Sequence, residues 1–129
     1  MRGLSTVEWI AKHPLSKGKR AQNIARFPAW QMRSRLIRKP HVFETANGVK
    51  MWAISGMTGA TGNLYVGLHE FEEMSFLLHF LRRGDLFADV DANVGSYTIL
   101  AAVAVGTEAI AFEAGKSALR LSLASPPIR

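Results

Sequence analysis

The chain has no cysteine among its 129 residues. Disulfide bonds, thiolate metal sites and a cysteine nucleophile are therefore excluded, and cysteine usage does not indicate a redox compartment. No apolar run approaches the roughly 18 residues of a membrane span, since the longest, 97–106, is about half that length. The start of the chain contains Glu8 and Lys12, where a signal peptide needs an unbroken apolar segment. We therefore expect a cytoplasmic protein without a membrane span.

Acidic residues are also missing between Glu8 and Glu44. Residues 1–50 contain 11 Lys and Arg against two acidic residues, whereas residues 51–129 contain 5 against 8. The chain is therefore expected to have a basic helical arm, 1–40, before a mildly acidic body, 41–129. An arm of this kind is typical of a solvated helical surface, and it is also found in organelle transit peptides. Binding of nucleic acid is not favoured, because no known nucleic-acid motif accompanies the charge.

Length and composition indicate one globular domain, since 48% of the residues are apolar and 20% charged. In the arm, Ser5 and Glu8 fit a capping box that begins a helix ending before Pro14. A basic helix is expected over 16–27, and Pro28 is expected to separate it from a second helix over 29–37.

The body begins with a predicted β-hairpin over 41–54, because Asn47-Gly48 supplies the two positive-φ positions of a type I′ turn. The glycines at 56, 59 and 62 predict a flexible loop, and 64–66 a short strand. An amphipathic helix is predicted over 70–83, with Gly84 as its stop.

The segment 86–113 is predicted to form a βαβ unit with parallel strands. Apolar strands at 86–90 and 109–112 flank a helix over 96–105 that is apolar almost all round, so all three are expected to be buried. Open α/β sheets bind ligands at the carboxyl ends of parallel strands. Gly95 would let a ligand approach the backbone there, and Glu113 would accept hydrogen bonds from a ribose diol. The missing G-x-G-x-x-G pattern disfavours a nicotinamide-dinucleotide site.

Four stretches of the body resemble the FkbM family of S-adenosylmethionine-dependent methyltransferases. They are Asn63-Leu64-Tyr65-Val66-Gly67-Leu68-His69-Glu70, Phe80-Leu81-Arg82-Arg83-Gly84-Asp85, Phe87-Ala88-Asp89-Val90-Asp91-Ala92-Asn93-Val94-Gly95-Ser96-Tyr97-Thr98 and Ala111-Phe112-Glu113. The family pattern is D-V-G-A-N-V/I-G-x-x-T, followed by a strand that closes with A-F-E-P. The resemblance covers about residues 41–113.

The resemblance implies a partial class I, Rossmann-like methyltransferase core of the α/β class. It implies that S-adenosylmethionine is the cofactor and that the methyl group goes to a hydroxyl of a small-molecule acceptor, often a sugar-like one. The cofactor-binding residues that it implies are Asp89, Asp91, Ala92, Asn93, Gly95, Thr98 and Glu113. It assigns no catalytic residue and no metal.

This chain departs from the family pattern at two positions and in its tail. Asp91 stands where the family has glycine, and Ala114 stands where it has proline. The tail, 114–129, diverges, so the sequence is expected to be the N-terminal part of a truncated methyltransferase with little or no activity. An apolar strand edge left without its neighbour is expected to cause self-association.

Two further interpretations stay open. The chain would be a non-catalytic binding module if its basic arm contacts an anionic partner. His69-Glu70 would be site residues or a helix cap, and the four histidines show no metal-ligand spacing. Ser96 and Thr98 have no His-Asp partners nearby that would make either a nucleophile.

Overall fold

A computed structural model describes residues 2–114 of the chain. The helices are α1 (Arg2–Lys12), α2 (Arg20–Leu36), α3 (Thr58–Val66), α4 (Phe71–Phe80) and α5 (Ser96–Ile99), and α5 continues into a π-helical segment, Leu100–Val105. The strands are β1 (His41–Glu44), β2 (Lys50–Ala53), β3 (Leu86–Val90) and β4 (Glu108–Phe112). The described chain is therefore mixed α/β. Apart from Ala114, the tail predicted to diverge lies outside the described residues.

The two N-terminal helices differ from the expected bounds. Helix α1 begins at Arg2, so the predicted capping box at Ser5 is wrong, although the helix does end before Pro14. Helix α2 continues through Pro28, where the sequence predicts a break. Proline inside a helix costs about 3 kcal/mol. The apolar face of α2 offsets that cost because it packs against the first core cluster through Trp30, Ile24 and Phe27.

The predicted hairpin is confirmed, but its turn is different. Strands β1 and β2 pair antiparallel, with Phe43 opposite Met51. The connection is a 3₁₀ turn over Ala46–Gly48, closed by a 2.7 Å hydrogen bond from the Thr45 amide to the Val49 carbonyl. Only its last residue, Gly48, takes a left-handed conformation, with φ 74°. A three-residue turn with glycine at its end replaces the predicted type I′ turn.

The segment predicted as a glycine loop followed by a strand forms helix α3 instead. Ala60, Leu64, Tyr65 and Val66 are all buried in the first core cluster. Gly62 lies against the ring of His69, so that an added Cβ would come 2.0 Å from His69 Cδ2. Glycine at this position therefore serves close packing, and tertiary contacts override the β propensity of 64–66.

Helix α4 is shorter than the predicted 70–83. It ends at Phe80, because Leu81 is extended and the Arg82 amide donates to Asp85 Oδ2 at 2.7 Å. The predicted βαβ unit is confirmed: β3 and β4 pair in parallel, with Asp89 beside Ala111 and Val90 beside Phe112.

Two clusters of buried side chains form the core. The first contains Ile10, Trp30, Ala53, Ala60, Leu64, Tyr65 and Val66, and the second contains Val49, Met51, Leu68, Met74, Leu77, Leu100 and Ala101. The basic arm contributes Ile10 and Trp30 to the first cluster. Phe43 packs against both clusters, so the hairpin joins them.

The βαβ unit is less buried than its apolar sequence predicts. Along β3 only Asp89 is buried, no residue of β4 is buried, and Val90 and Phe112 are 75% and 55% exposed. In the helix between them, only Ser96, Leu100 and Ala101 are buried. The reason is that the sheet contains only these two strands within residues 2–114.

Candidate functional site

The carboxyl ends of β3 and β4 lie side by side and hold the loop 91–95 between them. The Ala92 amide donates to the Phe112 carbonyl at 3.0 Å, which extends the strand pairing by one hydrogen bond beyond the last residue of β3. The Gly95 amide in turn donates to the Ala92 carbonyl at 2.7 Å. This arrangement brings together all seven residues that the sequence places in the site.

Asp89 connects the end of β3 to the first turn of α5. Its Oδ2 accepts a hydrogen bond from the Thr98 amide at 3.0 Å and another from the Thr98 hydroxyl at 2.5 Å. The side chain is buried, and the backbone amides of a first helical turn have no partners inside the helix. Asp89 therefore satisfies one of these amides, in addition to lying at the predicted site.

Glu113 connects the end of β4 to the same loop. Its Oε2 accepts a 2.5 Å hydrogen bond from the Asn93 amide. A carboxylate has about four acceptor sites on its two oxygens, so this bond is compatible with further donors from a ligand. The acid predicted at the strand tip is thus held over the loop by one of its oxygens.

Every second residue of the loop 91–95 has a left-handed backbone conformation. Asp91, Asn93 and Gly95 have φ values of 63°, 50° and 72°. Asn and Asp adopt this conformation more readily than other residues with a side chain, because their short polar groups bond locally. The backbone at Asp91 therefore favours glycine, the residue that the family pattern has there. An added Cβ on Gly95 would meet only Thr98 Cβ, at 4.0 Å, although the residue itself is buried.

A second set of hydrogen bonds fixes the start of α5 from the side of α3 and α4. Asn63, 1% exposed, donates from Nδ2 to Ser96 Oγ at 3.2 Å and accepts from the His69 amide at 2.7 Å. Tyr97 donates its hydroxyl to Glu70 Oε2 at 2.7 Å. Burial and the neighbouring Glu70 carboxylate raise the pKa of Tyr97, so its phenol stays protonated. The sequence does not predict Asn63, Ser96 and Tyr97 as bonding partners, although all three lie in the stretches that resemble the family.

His69 and Glu70 have different surroundings. The His69 ring packs on Gly62 and lies 5.3 Å from the Trp9 ring, whereas Glu70 begins α4 without a side-chain capping bond. The role of Glu70 in this structure is to accept from Tyr97.

A groove borders β3 on the side away from β4. Its volume is about 540 Å³, and it is lined by Glu73, Phe76, Leu77, Phe80, Leu81, Phe87, Ala88, Asp89, Val90 and Tyr97. The walls are mostly apolar, and Asp89 and Tyr97 place polar groups at the end nearest the loop. Within residues 2–114 the candidate site is therefore open on this side, next to the edge of β3 that has no partner strand.

No group of three or more His, Asp or Glu side chains within residues 2–114 is arranged to hold a metal ion. No helix of the described residues is long and apolar enough to cross a membrane. The chain matches no family model, and comparison with curated proteins and with solved structures gave no significant match.

Proposed function

We propose that the edge formed by the loop 91–95 and Glu113 binds S-adenosylmethionine, and that the chain is the cofactor-binding part of an FkbM-like O-methyltransferase. The observation that supports this most is that two hydrogen-bonded pairs, Asp89 with Thr98 and Asn93 with Glu113, lie at the carboxyl ends of two parallel strands. This is where α/β sheets of the Rossmann-like, class I type bind nucleosides.

The residues present fit the chemical groups of this cofactor. The carboxylates of Asp89 and Asp91 suit its ammonium and sulfonium charges, and the Glu113 carboxylate suits the hydroxyls of its ribose. Glycine at position 95 keeps a side chain out of the site. When bound, the cofactor supplies an activated methyl group for in-line displacement by a hydroxyl of the acceptor, which we propose is sugar-like.

Within the described residues the site has one wall, so we expect weak binding. A pocket normally covers most of the surface of a ligand of this size. We expect a dissociation constant in the millimolar range or weaker, corresponding to about 4 kcal/mol or less. The chain alone is therefore proposed to have little or no transferase activity.

The experiment is a titration with S-adenosylhomocysteine followed by the amide NMR signals of the protein. We expect shifts at Asn93, Gly95 and Thr98, and we expect Glu113→Gln to reduce them. Glu108→Gln is the matched control, since Glu108 is exposed at the opposite end of β4. The proposal is wrong if no signal of the loop shifts, or if Glu108→Gln reduces the shifts as much as Glu113→Gln does. Micromolar affinity would contradict the one-walled site.

A further inference from the structure

A second candidate site lies between α2 and β1. It is a groove of about 340 Å³ whose lining includes Arg26, Trp30, Arg33, His41, Phe43 and Glu44, and we refer to it as the Arg33 groove. Arg26 and Arg33 are seven residues apart on α2, so they lie on one face of the helix, two turns apart.

The Arg33 groove has an excess of positive charge. Helix α2 contains no acidic residue, and Glu44 is the one acid that lines the groove. Neither arginine forms an ion pair within the described residues. Arg26 is partly used in the fold, since its Nη1 donates to the carbonyls of Leu64 and Tyr65 at 3.4 Å each.

Arg33 has an unused donor. Its Nε is buried and has no acceptor among the described residues. A buried donor without a partner costs about 1–3 kcal/mol, and an anionic oxygen brought into the groove would remove that cost. The charge of Arg33 also reaches His41: burial, and then Arg33, lower the pKa of this histidine. The unpaired donor indicates a position where negative charge is missing.

A guanidinium group binds phosphate oxygens in pairs, through two parallel N–H donors. The volume of the groove is in the range of small-molecule sites, and Trp30 and Phe43 give it an apolar wall. We propose that the Arg33 groove binds the phosphate group of a small organic phosphate, with the organic part against the apolar wall. The groove shares no residue with the edge at Glu113, so this site stands or fails separately from the proposed methyltransferase function.

The first test uses phenyl phosphate and inorganic phosphate as probes, with NMR signals of the His41 and Trp30 side chains as the readout. We expect both probes to shift these signals, phenyl phosphate at lower concentration, and we expect bound phosphate to raise the pKa of His41. The absence of shifts at a probe concentration of about 10 mM would overturn the proposal.

Variants separate the groove from general surface charge. Arg33→Gln should weaken phenyl phosphate binding about tenfold or more, whereas Arg35→Gln should change it by less than about twofold. Arg35→Gln is the matched control because it removes the same charge from the same helix. Arg35 is exposed and does not line the groove. Equal losses in both variants would overturn the proposal.

A further variant and two competitors complete the design. Arg33→Lys keeps the charge and loses the paired donors, so it should weaken binding about fivefold even if Arg33→Gln fails to give a cooperative thermal melt. A single-stranded oligonucleotide and anionic vesicles should compete only weakly with phenyl phosphate. Strong competition that Arg35→Gln also reduces would show a polymer or membrane surface along α2, and the small-molecule site would be wrong.

Discussion

Asp89 and Thr98 are joined through a single carboxylate oxygen, which accepts from both the amide and the hydroxyl of Thr98. The two residues lie nine positions apart, at the end of β3 and in the first turn of α5. The pair fixes the direction in which the chain leaves the strand, and with it the shape of the loop 91–95. The candidate site therefore depends on a contact that is also part of the fold.

Removal of the Thr98 hydroxyl should destabilise the fold. Thr98→Val leaves one of the two bonds to Asp89, and a hydrogen bond to a charged group contributes about 1.5–3 kcal/mol. We expect a loss of this size in the free energy of unfolding, measured in urea. Thr98→Ser keeps the hydroxyl and should recover most of this loss. A loss in Thr98→Ser with none in Thr98→Val, which keeps the γ-methyl group, would show that the methyl group, and not the bond, matters.

The left-handed backbone at Asp91 should make its substitutions unequal. A strained residue in this region costs about 1–3 kcal/mol, and a β-branched side chain tolerates it least. We expect Asp91→Val to lower the unfolding free energy by about that amount, and Asp91→Gly to leave it within about 1 kcal/mol of the original, because relief of strain offsets the added chain entropy. Thermal melts of both variants test this. Similar melting temperatures for the two variants would contradict it.

The apolar edge of β3 should cause self-association. It is unpaired within residues 2–114, and Leu86, Val90, Phe76 and Phe80 near it are each more than half exposed. Apolar unpaired edges recruit other chains. We expect dimers or larger species in light scattering at micromolar concentration, and we expect Val90→Lys to reduce them.

Val103→Lys is the control for Val90→Lys, because Val103 is an exposed valine that lies in the π-helical segment, away from β3. It should leave the scattering unchanged. A monomer that melts cooperatively without either substitution would show that the edge is covered.

Stability should fall as the pH falls below about 6.5, the ordinary pKa of histidine. Burial is the largest cause that lowers the pKa of His13 in the folded chain, so the unfolded chain binds more protons between the two pKa values. The stability that neutral His13 contributes is fully present above the pKa of the unfolded chain, and it is lost as the pH falls toward the lower pKa of the folded chain. His13→Asn keeps an acceptor for the Leu15 amide and removes the titration, so urea unfolding across this range should depend less on pH in the variant.

The parts of the fold that the sequence predicts correctly are those with strong local signals. The hairpin follows from two apolar runs around Asn47-Gly48, and the βαβ unit from two apolar runs around a helix. The sequence-based predictions are wrong where contacts between residues distant in sequence determine the local structure. Leu64, Tyr65 and Val66 form a helix because all three reach the first core cluster.

The same difference applies to the candidate site. Its loop, Gly95 and the strand-end acid Glu113 can be predicted from the sequence, because the carboxyl ends of parallel strands must meet at one edge of the sheet. The hydrogen bonds that Asn63 forms with Ser96 and with the His69 amide cannot be predicted in this way, since they join segments up to 33 residues apart. Only the tertiary fold brings the helix α3 to the start of α5.

The position of Phe43 between the two core clusters affects how the molecule opens. A side chain that packs on both clusters loses contacts when either one loosens, so neither half of the described chain can open without cost to the other. Exchange of the amides that pair β1 with β2 should consequently proceed through the largest opening of the fold and be the slowest among the described residues. The hairpin, although the most local element in sequence, is then the last part of the structure to exchange.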